Sequence, residues 1–179
     1  IKGDINKRVD EAEAAGCTLV FLAEESGNLV GAIALIDRVK ESAKPAIAVL
    51  HGMGLRAHLL SGDNPKAAQA VGRHCGLKDD EIHALMRPED KVDFTRQLRA
   101  KGRRVAAVGD GINDAPALAA ADVGFALGTG TDIAVESGQI VIVSSDVGGV
   151  ASAIRMAQRA SRIIKTNLVV AFAFHPLLI

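Results

Sequence analysis

The sequence predicts an α/β fold built on a doubly wound, mostly parallel sheet, and three observations carry that prediction. From Asp37 onward short apolar runs alternate with segments of helical periodicity, so that successive strands are joined through helices; such connections imply right-handed crossovers and parallel pairing. Several of the apolar runs end in Gly beside Ser, Asp or Asn, as in Ser61-Gly62-Asp63 and Gly109-Asp110-Gly111, and sheets of this kind bind ligands beyond the carboxyl ends of their strands. Apolar residues make up 49% of 179 positions, enough for one substantial core or a core with a small neighbour.

Residues 1–36 read differently from the rest of the chain. Asp4 is placed to cap a helix whose apolar positions Ile5, Val9 and Ala12 recur at helical spacing and which Gly16 would stop. The runs TLVFLA and LVGAIALI, separated by Glu25-Ser26-Gly27-Asn28, predict a β-hairpin. A helix and a hairpin are too little for an independent domain.

The alternating region spans 37–145. Pro45 suits the first turn of a helix running through Leu50. Strands are predicted over Arg56–Leu60, Ile82–Leu85, Val105–Val108, Val123–Leu127 and Ile140–Val143. Helices are predicted over Pro65–Cys75, from Pro88 to near Lys101-Gly102, and over Ala115–Ala121. From Asp146, a third region, 146–179, reads as a long capped helix carrying Arg155, Arg159, Arg162 and Lys165 at spacings of four, three and three, followed by the apolar run NLVVAFAFHPLLI. Cations flanking an apolar segment mark the cytoplasmic side of a membrane helix, yet residues 168–179 fall short of the roughly 20 needed to cross a bilayer. With no initiating Met and no signal peptide at the other end, both ends are expected to be cut from a longer chain.

Composition excludes some classes. The 21 basic and 21 acidic residues cancel, and Trp and Tyr are absent, so neither bulk charge nor stacking platforms favour nucleic acid. Cys17 and Cys75 lie far apart without Cys-x-x-Cys or a neighbouring His at zinc-ligand spacing, which reads as two reduced thiols.

Three segments suit phosphate chemistry. Leu59-Leu60-Ser61-Gly62-Asp63-Asn64-Pro65 puts a hydroxyl at a strand's carboxyl end, with Gly62 letting backbone amides approach an anion. Arg87-Pro88-Glu89-Asp90-Lys91 puts a lysine in the first turn of a helix, where the macrodipole disfavours a cation; an anion opposite the ammonium would resolve the conflict. Val108-Gly109-Asp110-Gly111-Ile112-Asn113-Asp114 brings two acids across a tight glycine turn at a strand end. At about 4 Å two such charges repel by roughly 4 kcal/mol at an effective dielectric near 20, which a divalent cation such as magnesium would relieve.

In this order the three segments resemble the haloacid dehalogenase superfamily of phosphotransferases. LLSGDNP, RPEDK, VGDGINDAPAL and AAADVGFALGTGTDIAVESGQIVIV resemble more closely the phosphorylation domain of P-type ATPases, and Asp37-Arg38-Val39-Lys40-Glu41-Ser42 resembles the Asp-x-x-Lys segment leading out of their nucleotide-binding domain. GTGTDIA with NLVVAFAF is most similar to the heavy-metal branch, within it the copper exporters. The resemblance implies a haloacid dehalogenase-like, Rossmann-like sheet. Residues 1–36 would be the tail of the nucleotide-binding domain, 37–145 the phosphorylation domain, and 146–179 a juxtamembrane helix with the start of a transmembrane helix. Ser61 and the Gly62 amide would hold the phosphoryl group, Lys91 would neutralise it, and Asp63 would organise the loop. Asp110 would bind magnesium directly, with Asn113 and Asp114 supporting metal and phosphate. It further implies ATP as substrate, a transported heavy-metal ion, most favourably Cu+, and an integral membrane protein with residues 1–165 on the cytoplasmic side. Its partners would be membrane lipid along the C-terminal helix and the remaining domains of the pump.

The departures matter as well. The family's phosphorylated Asp-Lys-Thr-Gly-Thr segment, its adenine-holding motifs and the Cys-Pro-Cys of the metal path are absent from these 179 residues, so the chain alone is expected to be inactive and its sheet incomplete. Where copper exporters carry Tyr-Asn, this chain reads Phe174-His175-Pro176, leaving zinc, cadmium or lead as alternative cargo. Two other classes compete: a soluble phosphatase of the same superfamily, which would need a DxDx(T/V)-like segment near the N-terminus, and a non-catalytic regulator that retains the magnesium loop.

Overall fold

A computed structural model describes residues 7–12, 17–35, 39–110, 112–128, 138–144 and 146–174. Residues 7–12 are helical (α1); Asp4, Ile5 and Gly16, expected to cap and stop that helix, lie outside the described residues, as do Asp37 and Arg38. The hairpin forms as expected, β1 (Thr18–Ala23) antiparallel to β2 (Leu29–Leu35), with Leu19 opposite Ala34 and Leu22 opposite Gly31. Its turn closes because Gly27 adopts a positive φ of 84°, which glycine reaches without steric cost. Val20, Phe21, Leu22, Val30 and Ile33 stay exposed, and because neighbouring strand residues point to opposite faces, both faces of the hairpin are uncovered.

The remainder alternates as the sequence predicts: α2 (Ala43–Gly52), β3 (Leu59–Leu60), α3 (Pro65–His74), β4 (Ile82–His83), α4 (Pro88–Ala100), β5 (Ala106–Gly109), α5 (Ala115–Ala120), β6 (Val123–Leu127), β7 (Ile140–Ile142) and α6 (Gly148–Phe174). Pairing in this region is wholly parallel, but it makes two blocks rather than one sheet: β3 with β4, and β5-β6-β7 in that order. The core lies around β6: Phe125 and Ala126 are buried, as are Leu118 of the adjoining α5, which is fully enclosed, and Val150 and Ala151 at the start of α6.

Helix starts follow local chemistry. The Asn64 side chain accepts from the Ala67 amide at 3.0 Å ahead of Pro65. Asp90 closes the start of α4 by accepting from the Arg87 amide at 2.9 Å, and the Gly148 amide donates to Asp146 Oδ1 at 2.8 Å. These are N-terminal donors that a helix cannot satisfy internally.

Two strands are shorter than expected. Arg56–Leu60 pairs only at Leu59 and Leu60, with Arg56 held instead by Asp80 at 2.7 Å. Ile82–Leu85 stops at His83 because Leu85 turns into the left-handed region at φ 55°. The described residues contain no helix long and apolar enough to cross a membrane, so the membrane-helix expectation finds no support in the fold. Arg155, Arg159, Arg162 and Lys165 occupy the middle of α6, and its apolar end, Leu168, Val169, Val170 and Phe172, is exposed.

Candidate active site

Ser61 follows directly on β3, and its backbone is fixed on both sides: its amide donates to the His83 carbonyl at 2.9 Å and its carbonyl accepts from the Met86 amide at 2.9 Å. Its hydroxyl donates to Asp63 Oδ2 at 2.6 Å while accepting from the Asp63 amide at 3.1 Å. Asp63 in turn accepts the Leu85 amide on its own carbonyl at 2.9 Å. The loop Ser61-Gly62-Asp63 is therefore stitched to the segment leading into α4. A Cβ on Gly62 would meet only the Met86 carbonyl oxygen, at 3.5 Å, which is ordinary contact.

Lys91, in the first turn of α4, donates from Nζ to Asp114 Oδ1 at 2.7 Å, with side chains 17% and 24% exposed. The anion expected opposite this lysine is thus supplied by the chain itself. It also changes the reading of the two acids: the ammonium, not a metal alone, answers the charge of Asp114. Asp110, immediately after β5, is exposed and has no hydrogen bond or ion pair among the described residues. Asn113 is exposed in the short 3-10 turn Ile112–Asp114; Gly111 lies outside the described residues.

One helix face joins the two halves. Lys91 and Phe94 are three residues apart on α4, hence neighbours on its surface. Lys91 reaches Asp114, while the Phe94 ring lies 4.5 Å from that of His83, in β4, and 5.3 Å from that of His58, directly before β3. Among the described residues no cluster of three His, Cys, Asp or Glu could hold a metal. Magnesium does not require one, since it keeps waters and phosphate oxygens and takes one or two carboxylates, and the exposed Asp110 is a carboxylate of that kind.

Residues 3–122 and 92–154 each match a haloacid dehalogenase-like hydrolase family profile. The chain belongs to the haloacid dehalogenase-like hydrolases. Within them it is similar to copper-transporting ATPase 2 of Rhizobium meliloti (strain 1021), 47% identical over 98% of this chain and 21% of that protein. It is similar also to the probable copper-importing P-type ATPase A of Enterococcus hirae, 43% identical over 92% of this chain and 23% of that protein. In structure it resembles a zinc-transporting PIB-type ATPase crystallised in an E2.Pi state, with a TM-score of 0.83 at 35% identity over 97% of this chain and 28% of that one. The chain spans about a fifth of the length of such curated relatives. The heavy-metal P-type ATPase resemblance read from LLSGDNP, RPEDK and VGDGINDAPAL agrees with these likenesses.

Sequence reasoning missed Gly109, His58, His83 and Phe94. A Cβ on Gly109 would sit 2.5 Å from Asp114 Cβ and 2.8 Å from its Oδ2, so this glycine makes room for the carboxylate that Lys91 holds; its place directly before Asp110 was the available signal. Gly109→Ala is expected to lower stability by about 1–3 kcal/mol, the usual cost of overpacking, and to displace Asp114. Thermal melts read the first effect. The histidines and Phe94 gave no local signal, because their meeting depends on pairing between distant segments.

Proposed function

We propose that this chain forms the phosphate- and magnesium-binding part of the phosphorylation site of an ATP-driven, copper-transporting P-type ATPase. The observation that carries the reading is the α4 face that ties Lys91 and Asp114 to the strands under Ser61-Gly62-Asp63. In this reading Ser61 and the Gly62 amide hold the phosphoryl oxygens, Lys91 offsets their charge, and Asp63 fixes the Ser61 hydroxyl. Asp110, with Asn113 and Asp114 behind it, holds magnesium, which when bound shields the charge of the transferring group. The carboxylate that becomes phosphorylated, a covalent intermediate, comes from outside these 179 residues. Copper as cargo is supported by the copper-transporting relatives; the zinc-transporting structural neighbour makes zinc the competing ion.

In the same reading 1–36 is the end of the nucleotide-binding domain, 37–145 the phosphorylation domain, and 146–179 the entry into a membrane segment, with residues 1–165 on the cytoplasmic side. That last assignment follows from the P-type ATPase reading alone, since among the described residues no helix is long and apolar enough to cross a membrane. The test is ATP hydrolysis by the full-length protein in membranes: it should require magnesium, be stimulated by Cu+ over Zn2+, and fall at least about 100-fold in Asp110→Asn, the loss typical of removing a charge-stabilising group. Stimulation by zinc alone would reassign the cargo, and hydrolysis indifferent to Asp110 would end the reading. The phosphatase alternative predicts magnesium-dependent hydrolysis of p-nitrophenyl phosphate by the 179-residue chain alone; none above background is expected.

A further inference from the structure

Behind the Ser61 loop lies a cluster that the proposed chemistry does not use. His58 Nδ1 and His83 Nε2 are 3.2 Å apart across the β3–β4 pair, the two rings tilted at 32°, and Phe94 of α4 rests against both. At that separation one ring nitrogen donates and the other accepts, so at least one imidazole is neutral. His83 is also the residue whose carbonyl receives the Ser61 amide. Any movement of the His83 ring relative to His58 is therefore one residue's backbone away from the phosphate loop, and Phe94 passes the same movement to the helix that carries Lys91.

The geometry points to His58, His83 and Phe94 as positioning residues, a joint that sets the Ser61-Gly62-Asp63 loop at its working distance from Lys91. This rests on the phosphorylation-site reading of that loop. The joint has an inbuilt response to acid. Burial is the main cause holding both imidazoles below the ordinary value of 6.5; His58 is pushed down further by His83 and Arg56 and pulled back by Glu81 and Asp80, while for His83 only Asp80 opposes. From α4 it is Phe94 that touches both rings, with Lys91 one turn before it held by Asp114. His51 stands on the far side of buried Glu81, at 3.9 Å. One added proton leaves the hydrogen bond in place, because an imidazolium N–H still faces a lone pair. Two protons set N–H against N–H and part the strands. The unfolded chain binds protons on these rings more readily than the folded one, so the stability they contribute is complete above pH 6.5 and declines as pH falls through the lowered folded values. Exposed Asp79 and Asp90 titrate in a separate window, since hydrogen bonds from Arg73 and Arg87 hold both below 3.8.

The experiment compares His83→Leu and His83→Gln in the full-length protein, following magnesium-dependent ATP hydrolysis from about pH 8 to about pH 5. A glutamine amide occupies roughly the place of Nε2 and keeps the contact without titrating. His83→Leu should lower kcat about tenfold at every pH with KM for ATP unchanged, in line with the cost of small misplacements at a reacting centre. His83→Gln should hold kcat within about twofold and move the acid limb to lower pH, the signature of a positioned, titrating contact. If the two variants behave alike, or both keep the wild-type profile, the inference is wrong. A wild type without magnesium-dependent hydrolysis would instead overturn the phosphorylation-site reading. The joint is then judged by nitrogen-15 NMR of the full-length protein, in which the Ser61 amide must shift together with ring titration of His58 and His83; a Ser61 amide that ignores those titrations overturns the joint.

Discussion

Replacing Lys91 with methionine is expected to cost the full-length protein at least about 100-fold in magnesium-dependent ATP hydrolysis, the scale on which one charge-stabilising donor acts at a transferring phosphoryl group. The same substitution leaves Asp114 without its 2.7 Å partner. Removing one member of a fully buried pair costs about 3–5 kcal/mol; with the two side chains 17% and 24% exposed, solvent screening reduces this to about 2 kcal/mol. The two losses separate in a double variant. Lys91→Met with Asp114→Asn removes both charges, so most of the stability should return, because the penalty came from the orphaned carboxylate. Activity should not return, since on the proposed phosphorylation-site reading the phosphoryl group would still lack its cation. Denaturant melts beside ATPase rates read both outcomes. A double variant that regains activity as well would make Lys91 a structural counter-ion and nothing more.

That lysine also shows how far the sequence reaches. A cation in the first turn of a helix conflicts with the helix dipole, and the conflict announces an anion opposite Lys91; that the anion is Asp114 rests on α4 and α5 packing together, which no local pattern encodes. Signals confined to a few residues held best. Pro65 opening α3, Asp146 before α6 and the Gly27 turn act on their own neighbourhood, and each does what its chemistry predicts. Strand limits held less well, because a strand exists only where another pairs with it. The strand expected at Arg56–Leu60 is five residues long but finds a partner at two of them, and the left-handed turn at Leu85 cuts β4 short. The pairing of His58 with His83 joins positions 25 apart in sequence and was invisible for the same reason. The places of Ser61 after β3 and of Asp110 after β5 were legible; the helix face that connects the two segments was not.

The two-block sheet leads to the other large effect. Among the described residues β5 pairs with β6 on one side only, and β3 with β4 on one side only. Yet Val108, in a strand whose composition suits a sheet interior, is 41% exposed. An inner strand seated between β3 and β5 would satisfy both edges and cover that surface, and the phosphorylation-site reading demands a strand there to deliver the carboxylate beside Ser61 and Asp110. About eight new ladder hydrogen bonds at roughly 0.5–1.5 kcal/mol each, less the entropy of ordering some five residues at about 1–2 kcal/mol each, leave a small balance that apolar burial of Val108 and its neighbours turns favourable by a few kcal/mol. For a domain of this size each kcal/mol moves the midpoint by roughly 2–8 °C, so supplying the segment that carries the phosphorylated Asp should raise Tm by on the order of 10 °C. Without it, open edges of this kind template association between chains, and the 179-residue chain should self-associate at micromolar concentration and melt over a broad range. Sedimentation and calorimetry with and without the added segment make the comparison. A monodisperse monomer that melts cooperatively, at a midpoint the added segment does not change, would mean that no strand belongs between β3 and β5 and that the phosphorylated carboxylate must be sought elsewhere.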